Sequence, residues 1–291
     1  MKKISLIIGQ TSSLPKEVIE EYGIVCVPYI VNWPEGEKIP GENIFQKMRE
    51  AEKEGILTLP KTSQPSPGVF KKIFDEELKR AEKLIVLTLS SKLSGGYNSA
   101  LQAREIIPEK DRIFILDTLN VTIGEGLIDL YVAKMIQKGK DEREILEKFP
   151  KIVKETHLFG MVEDPKWLKR GGRISHSFAL LLERMQKVGM RPLIGVKDGK
   201  VKPVALKMKA KDVPEALFRE LKKEVEKIKD KKEIKIAIGH ADNLEGAEKL
   251  KELIKKNLKE IEILFLGLID PVIGVHVGPG SLAIAWSQFK L

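Results

Sequence analysis

Along the first 140 residues, short apolar runs alternate with polar turns and amphipathic stretches. ISLIIG (4–9) leads into the polar turn QTSS and a proline-started stretch, PKEVIEEY, closed by Gly23; the pattern predicts strand, turn and helix. IVCVPYIV (24–31) reads as a second strand, WPEGEKIPGE as turns, and the residues near 42–54 as a helix. LPKTSQPSP (59–67) carries three prolines and four hydroxyl or amide side chains, so it reads as a loop. After a helix at 68–82, LIVLTL (84–89) is continuously apolar, as in a strand buried on both faces of a parallel sheet. SSKLSGGYNSA then opens a helix to Ile107, and RIFIL (112–116), DTLN and a helix near 122–138 repeat the unit. Repeated strand-to-helix units predict an α/β fold whose N-terminal part is a doubly wound, mostly parallel sheet with its turns along one edge.

The rhythm then changes. A helix at 141–155 is followed by HLFGMV, the short helix PKWLKRGG and the apolar helix ISHSFALLLERM. PLIGVKDGKVKPVAL has two alternating runs joined by Asp198-Gly199, a strong hairpin signal. A helix at 212–229, IKIAIGH, a long Lys/Glu helix and IEILFLGL follow; PVIGVHVGPGSLAIAW reads as two β-like runs split by Gly-Pro-Gly. Strand pairs mixed with helices predict a C-terminal α+β domain with a mixed sheet. The expected domains are 1–155 and 156–291, without a long linker or internal repeat, and a chain of 291 residues accommodates two ordinary cores.

Charge changes the picture less than its size suggests. The net charge of +9 could signal a nucleic acid or acidic membrane, a basic patch for a protein partner, or a surface rich in ion pairs. Lys and Glu interleave at helical spacing in KKEVEKIKDKKE and EKLKELIKKNLKE, which favours the third reading. No nucleic-acid-reading motif is present, so no nucleic-acid partner is expected. Cys26 is alone and cannot form an intrachain disulfide. MKKISLIIGQTSS has neither the apolar length nor the cleavage pattern of a signal peptide, and no apolar run reaches ~18 residues, so the expectation is a cytoplasmic protein without stable membrane insertion.

Several enzyme signatures are missing from the sequence: GxxxxGK[ST], GxGxxG after the first strand, GxSxG, HExxH and paired CxxC. His157, His176, His240 and His276 are scattered, so neither a metal nor a cofactor is expected. What remains is rich in hydroxyls. Thr11, Ser12 and Ser13 follow the first strand, Ser90, Ser91 and Ser94 the third, and Asp117 and Thr118 the fourth, all at the sheet edge where ligands bind, with the Thr62-Ser63 loop able to fold over them. Each hydroxyl could equally be a helix cap. Ser94-Gly95-Gly96 at a helix start offers backbone N–H groups to an anion, and neutral hydroxyls without a cation in the turn suit a carboxylate better than a triphosphate. His276, between valines, reads first as a core residue, and Lys166, Lys169, Arg170 and Arg173 crowd around Gly171-Gly172.

TSQPSPGVF (62–70), SSKLSGGYNSA (90–100), LKRGGRIS (168–175), RPLIGVKDGKVKP (191–203) and PVIGVHVGPGSLAIA (271–285) together resemble the DegV family of bacterial fatty-acid-binding proteins, in order and over nearly the whole chain. The resemblance implies two α/β domains with one long-chain fatty acid, such as palmitate or oleate, in the crevice between them. It implies that Thr62 and Ser94, with Gly95 in the same turn, hold the carboxylate, and that His276 lies close to the head group. It also implies a carrier, not an enzyme, that presents the acid to a separate fatty acid kinase for acyl phosphate formation; Lys166, Lys169, Arg170 and Arg173 are the candidate docking surface. Three features depart from the family pattern: Gln10 where an aspartate is usual, Gly96 where a threonine is usual, and KMKAK (207–211) in place of an arginine-containing stretch. Two alternatives are a serine-dependent acyl transferase or hydrolase using Ser94 and His276, which needs an acid to orient the histidine, and a basic regulatory protein binding nucleic acid.

Overall fold

The computed structural model describes residues 2–56, 58–187, 190–208, 212–228 and 230–290. Part of the KMKAK departure, 209–211, lies outside the described residues, as does the last residue of the helix expected at 212–229. In chain order the first half holds β1 (Lys2–Gly9), α1 (Lys16–Tyr22), β2 (Val25–Val27), β3 (Ile30–Asn32), α2 (Ile44–Lys53), β4 (Lys61–Ser63), α3 (Pro67–Glu77), β5 (Ala81–Thr88), α4 (Gly96–Glu105), β6 (Ile113–Asp117), α5 (Thr122–Gln137) and α6 (Glu142–Glu155). The second half holds β7 (Thr156–Met161), α7 (Lys166–Gly171), α8 (His176–Lys187), β8 (Met190–Lys197), β9 (Lys200–Met208), α9 (Val213–Val225), β10 (Lys235–His240), α10 (Leu244–Asn257), β11 (Glu262–Leu268), α11 (Pro271–Val277) and β12 (Leu282–Ser287).

The first sheet is wholly parallel, in the order β2-β1-β5-β6. Its chain path reverses between β1 and β5, so the crevice beyond their C-terminal ends is the position where such sheets bind ligands. LIVLTL is continuously apolar because both faces are covered: Leu84 and Val86 pack with Phe70, Phe74 and Ala100 of α3 and α4, while Ile85 and Leu87 join the cluster that holds α5. The second sheet runs β11-β10-β12-β7-β8-β9 and is mixed, with β10 and β11 parallel and the other pairs antiparallel. Its outer face packs on α9 and α10 through Leu217, Leu221 and Leu250. The predicted hairpin is present, and Asp198 and Gly199 take φ of 53° and 75°, as a tight two-residue turn requires.

α5 joins the two sheets. Thirteen of its 16 residues are buried, because Leu127, Ile128 and Tyr131 share one core cluster with Ile8 and Ile85 of the first sheet and Ala237, Ala283 and Ala285 of the second. A helix apolar nearly all round belongs between layers. Gly126 permits its close approach, since a Cβ there would stand 2.4 Å from the Ser12 carbonyl oxygen.

Three segments differ from the sequence pattern. IVCVPYIV divides at Pro28 into β2, in the parallel sheet, and β3, which pairs with β4. LPKTSQPSP is not wholly loop: Lys61–Ser63 form β4, with Thr62 opposite Val31. PVIGVHV is a helix, α11, because Pro271 occupies its first turn and the Asp270 carboxylate accepts from the Val272 N–H at 2.9 Å.

Candidate functional site

Thr62 and His276 are 214 positions apart in sequence and meet in the fold, Thr62 Oγ1 lying 2.8 Å from His276 Nε2. The pairing of β4 with β3 fixes Thr62, and α11 fixes the histidine. α7 supplies a third support: a Cβ at Gly171 would stand 2.7 Å from His276 Nδ1, so this close packing needs a glycine. Burial, and then the nearby Arg173 charge, lower the His276 pKa to about 4, and the ring is neutral at physiological pH. With Nε2 protonated, His276 donates to Thr62 Oγ1 and leaves the threonine proton for a ligand oxygen.

Ser94 lies in the turn between β5 and α4, half-buried, with its Oγ accepting from the Gly96 N–H at 3.2 Å. Gly95 rests against Gln64, whose Nε2 would be 2.9 Å from a Cβ there, so the Ser94 turn abuts the segment that carries Thr62. Four of the other hydroxyls expected at this edge, those of Thr11, Ser13, Ser90 and Thr118, are committed elsewhere. Ser90 Oγ donates to the Gly199 carbonyl at 2.8 Å, Thr118 Oγ1 to the Thr88 carbonyl at 2.9 Å, and Thr11 Oγ1 to Glu125 Oε1 at 3.0 Å. Ser13 Oγ sits 2.9 Å from Thr122 Oγ1, and the Asp117 carboxylate accepts from the Ser91 N–H. Gln10, the amide in the first turn, donates to Asp270 Oδ2 at 3.0 Å and so ties the first sheet to α11.

Two cavities flank α11. On one side is an open vestibule of about 710 Å³, lined by Lys61, Thr62, Arg170, Arg173 and His276 among others. On the other is a narrow slot of about 80 Å³ with apolar walls, including Leu158, Ile194, Val196, Ile273 and Val277. The basic cluster splits accordingly. Arg170 and Arg173 are exposed and line the vestibule. Lys166 bonds instead to Glu52 and Asp164 and lies 5.1 Å above the Trp167 ring. Lys169 is exposed.

Asp270, the acid nearest to His276 in sequence, caps α11 and accepts from Gln10. His276 pairs with Thr62 and not with Ser94. Among the described residues, no cluster of three or more His, Cys, Asp or Glu could hold a metal ion, and no helix is long and apolar enough to cross a membrane. Sequence reading missed Gly171, whose role is visible only once α11 is a helix. It also missed Glu125 and Asp129, both fully buried in α5; acids four residues apart in an otherwise apolar helix were the available signal.

Comparison with known proteins is consistent across the whole chain. The model of a family described as an uncharacterised protein family, DegV, matches residues 3–288. A DegV domain-containing protein of Clostridium acetobutylicum is 31% identical over 285 residues, covering 98% of each chain. A fatty acid-binding protein of Thermotoga maritima is 30% identical, covering 96% of each. Among solved structures, a fatty-acid-binding DegV family protein from Thermus thermophilus superposes with a TM-score of 0.85 at 25% identity, covering 99% of this chain and 100% of its own.

Proposed function

The chain belongs to the DegV family, and on that premise we propose that it binds one long-chain fatty acid, with the carboxylate at Thr62, Ser94 and Gly95 and the tail in the apolar slot behind α11. The observation that carries this reading is the Thr62–His276 contact at the boundary between a polar vestibule and an apolar cavity. Neutral donors satisfy the carboxylate without an unpaired buried cation, and Arg170 and Arg173 add a favourable field from the vestibule. The tail supplies most of the affinity, at ~0.8 kcal/mol per buried methylene. A slot of about 80 Å³ has room for only a few waters at ~30 Å³ each, so its walls separate when the tail enters.

On this reading the protein is a carrier without a cofactor, built of domains 1–155 and 156–291, that works in the cytoplasm. It holds palmitate or oleate with its head group toward the vestibule, where a fatty acid kinase can reach it and form an acyl phosphate. Native mass spectrometry of the purified protein, before and after incubation with palmitate, tests the binding: one fatty acid per chain is expected, and a chain that takes up none overturns it. For the kinase step, Arg170 and Arg173 line the vestibule and Lys166 and Lys169 flank them on α7. Arg170→Glu is expected to lower acyl phosphate formation by a fatty acid kinase with ATP more than it lowers palmitate uptake. Equal losses would remove the docking role.

A further inference from the structure

Beneath the Ser94 turn lies a set of buried polar groups that head-group binding as described leaves unused. Tyr29, between β2 and β3, is 8% exposed, and its hydroxyl approaches Ser94 without forming a hydrogen bond of ordinary geometry. A Cβ at Gly96 would stand 2.2 Å from that hydroxyl and 3.7 Å from Ser94 Oγ, so both flank the start of α4. On its other side, a Cβ at Gly9 would stand 3.3 Å from Tyr29 Cε2 and 3.4 Å from Glu125 Oε1. Tyr29 therefore lies between Ser94 and the carboxyl of Glu125. Glu125 is 0% exposed; its Oε1 accepts from Thr11, and its Oε2 has no partner. Asp129, one helical turn on and also 0% exposed, has neither oxygen paired.

Charged carboxylates are not stable in such a setting without a cation. The groups that act on Glu125 are Asp129 on its own helix, Thr11 after β1, Asp270 before α11 and Asp117 at the end of β6; Tyr29 and Cys26 feel its charge in turn. None of these is basic. Burial first, and then Asp129, push the Glu125 pKa well above the ordinary carboxylate range, and burial does the same for Asp129.

We infer that Glu125 and Tyr29 are positioning residues for the Ser94 hydroxyl, and that the Glu125–Asp129 pair must be protonated for Ser94 to donate to a fatty-acid carboxylate. The inference rests on the head-group reading of Ser94. With Glu125 protonated, its O–H donates to Tyr29 Oη, directly after a small rotation or through one water; Tyr29 then donates to Ser94 Oγ, and the Ser94 proton points outward to the ligand. When Glu125 gives its proton to solvent, Tyr29 donates to the carboxylate and Ser94 donates to Tyr29. The outward donor is lost and a negative charge appears beneath the bound anion. Both changes weaken binding as pH rises.

The test is the dissociation constant of a fluorescent long-chain fatty acid, with palmitate as competitor, measured from pH 6 to pH 10 for the wild type, Glu125→Gln and Tyr29→Phe. The wild type is expected to lose roughly tenfold in affinity across its alkaline transition, the scale of one hydrogen bond to a charged group. Glu125→Gln, which keeps a neutral donor and cannot ionise, is expected to bind at high pH nearly as the wild type does at low pH, while Tyr29→Phe, which cuts the connection but leaves Glu125 to ionise, is expected to show a smaller transition than the wild type. A wild-type transition retained in both variants overturns the inference while leaving the head-group reading standing. A wild type that binds no fatty acid at any pH overturns both.

Discussion

The vestibule and the slot share α11 as a common wall, yet they are built on opposite principles. The vestibule is wide, edged by Arg170, Arg173 and Lys61, and drawn from β4, α7 and α11. The slot is narrow and is drawn from β7, β8, β12 and the start of α5, with almost no polar surface. An amphipathic ligand needs both environments within one molecular length, and a single turn of α11 separates Ile273 and Val277 on the slot side from His276 on the other. On the proposed reading the difference teaches that affinity and orientation have separate origins, so each can be damaged alone.

The largest expected effect comes from filling the slot. Val196→Trp should leave a folded protein by circular dichroism and reduce palmitate uptake more than a hundredfold, because the indole occupies the volume the tail needs. Retained uptake would relocate the tail. Thr62→Ala/Ser94→Ala should weaken binding by roughly a hundredfold, two hydrogen bonds to a charged group at ~1.5–3 kcal/mol each with partial replacement by water. Isothermal titration with a soluble fatty acid would measure it, and an unchanged constant would detach these hydroxyls from the head group.

The third effect is on stability. The His276 pKa is about 4 in the folded chain against an ordinary value near 6.5, so the unfolded state takes up the proton first as pH falls. The stabilisation is present above the unfolded value and is lost as pH drops through the folded one. Urea unfolding between pH 7 and pH 4 should show a loss on the order of 2–3 kcal/mol that His276→Gln removes. The smallest effect belongs to Lys166→Ala: its ion pairs with Glu52 and Asp164 are partly solvated, so a change within about 1 kcal/mol is expected, with palmitate affinity untouched. A large change in affinity would mean that α7 is positioned by this lysine as well as by Gly171.

The sequence pattern made the parallel sheet legible because LIVLTL and RIFIL are too apolar and too short for anything but covered strands. The hairpin at Asp198-Gly199 was equally plain, since few residues tolerate its backbone. α11 was not, because seven residues rich in valine and isoleucine carry both helix and strand signals, and Asp270, Pro271 and the packing of Gly274 against Phe45 decide between them. β4 escaped because its pairing with β3 spans three residues. At the site, Thr62, Ser94 and His276 came from a resemblance; the residues alone gave Ser94 an anion-binding turn and left His276 in the core. The division of the basic cluster between vestibule and ion pairs depends on side-chain direction, which spacing does not carry.

α5 also constrains how the molecule comes into being. A chain emerging from the ribosome completes this helix and the sheet beneath it before any strand of the second sheet exists, because β7 begins at Thr156 and β12 ends at Ser287. Until then the face of α5 destined for Ala237, Ala283 and Ala285 has no cover. The nascent first half should therefore expose an apolar face until the last strand is synthesised, and a truncation near residue 155 should yield a first domain that aggregates.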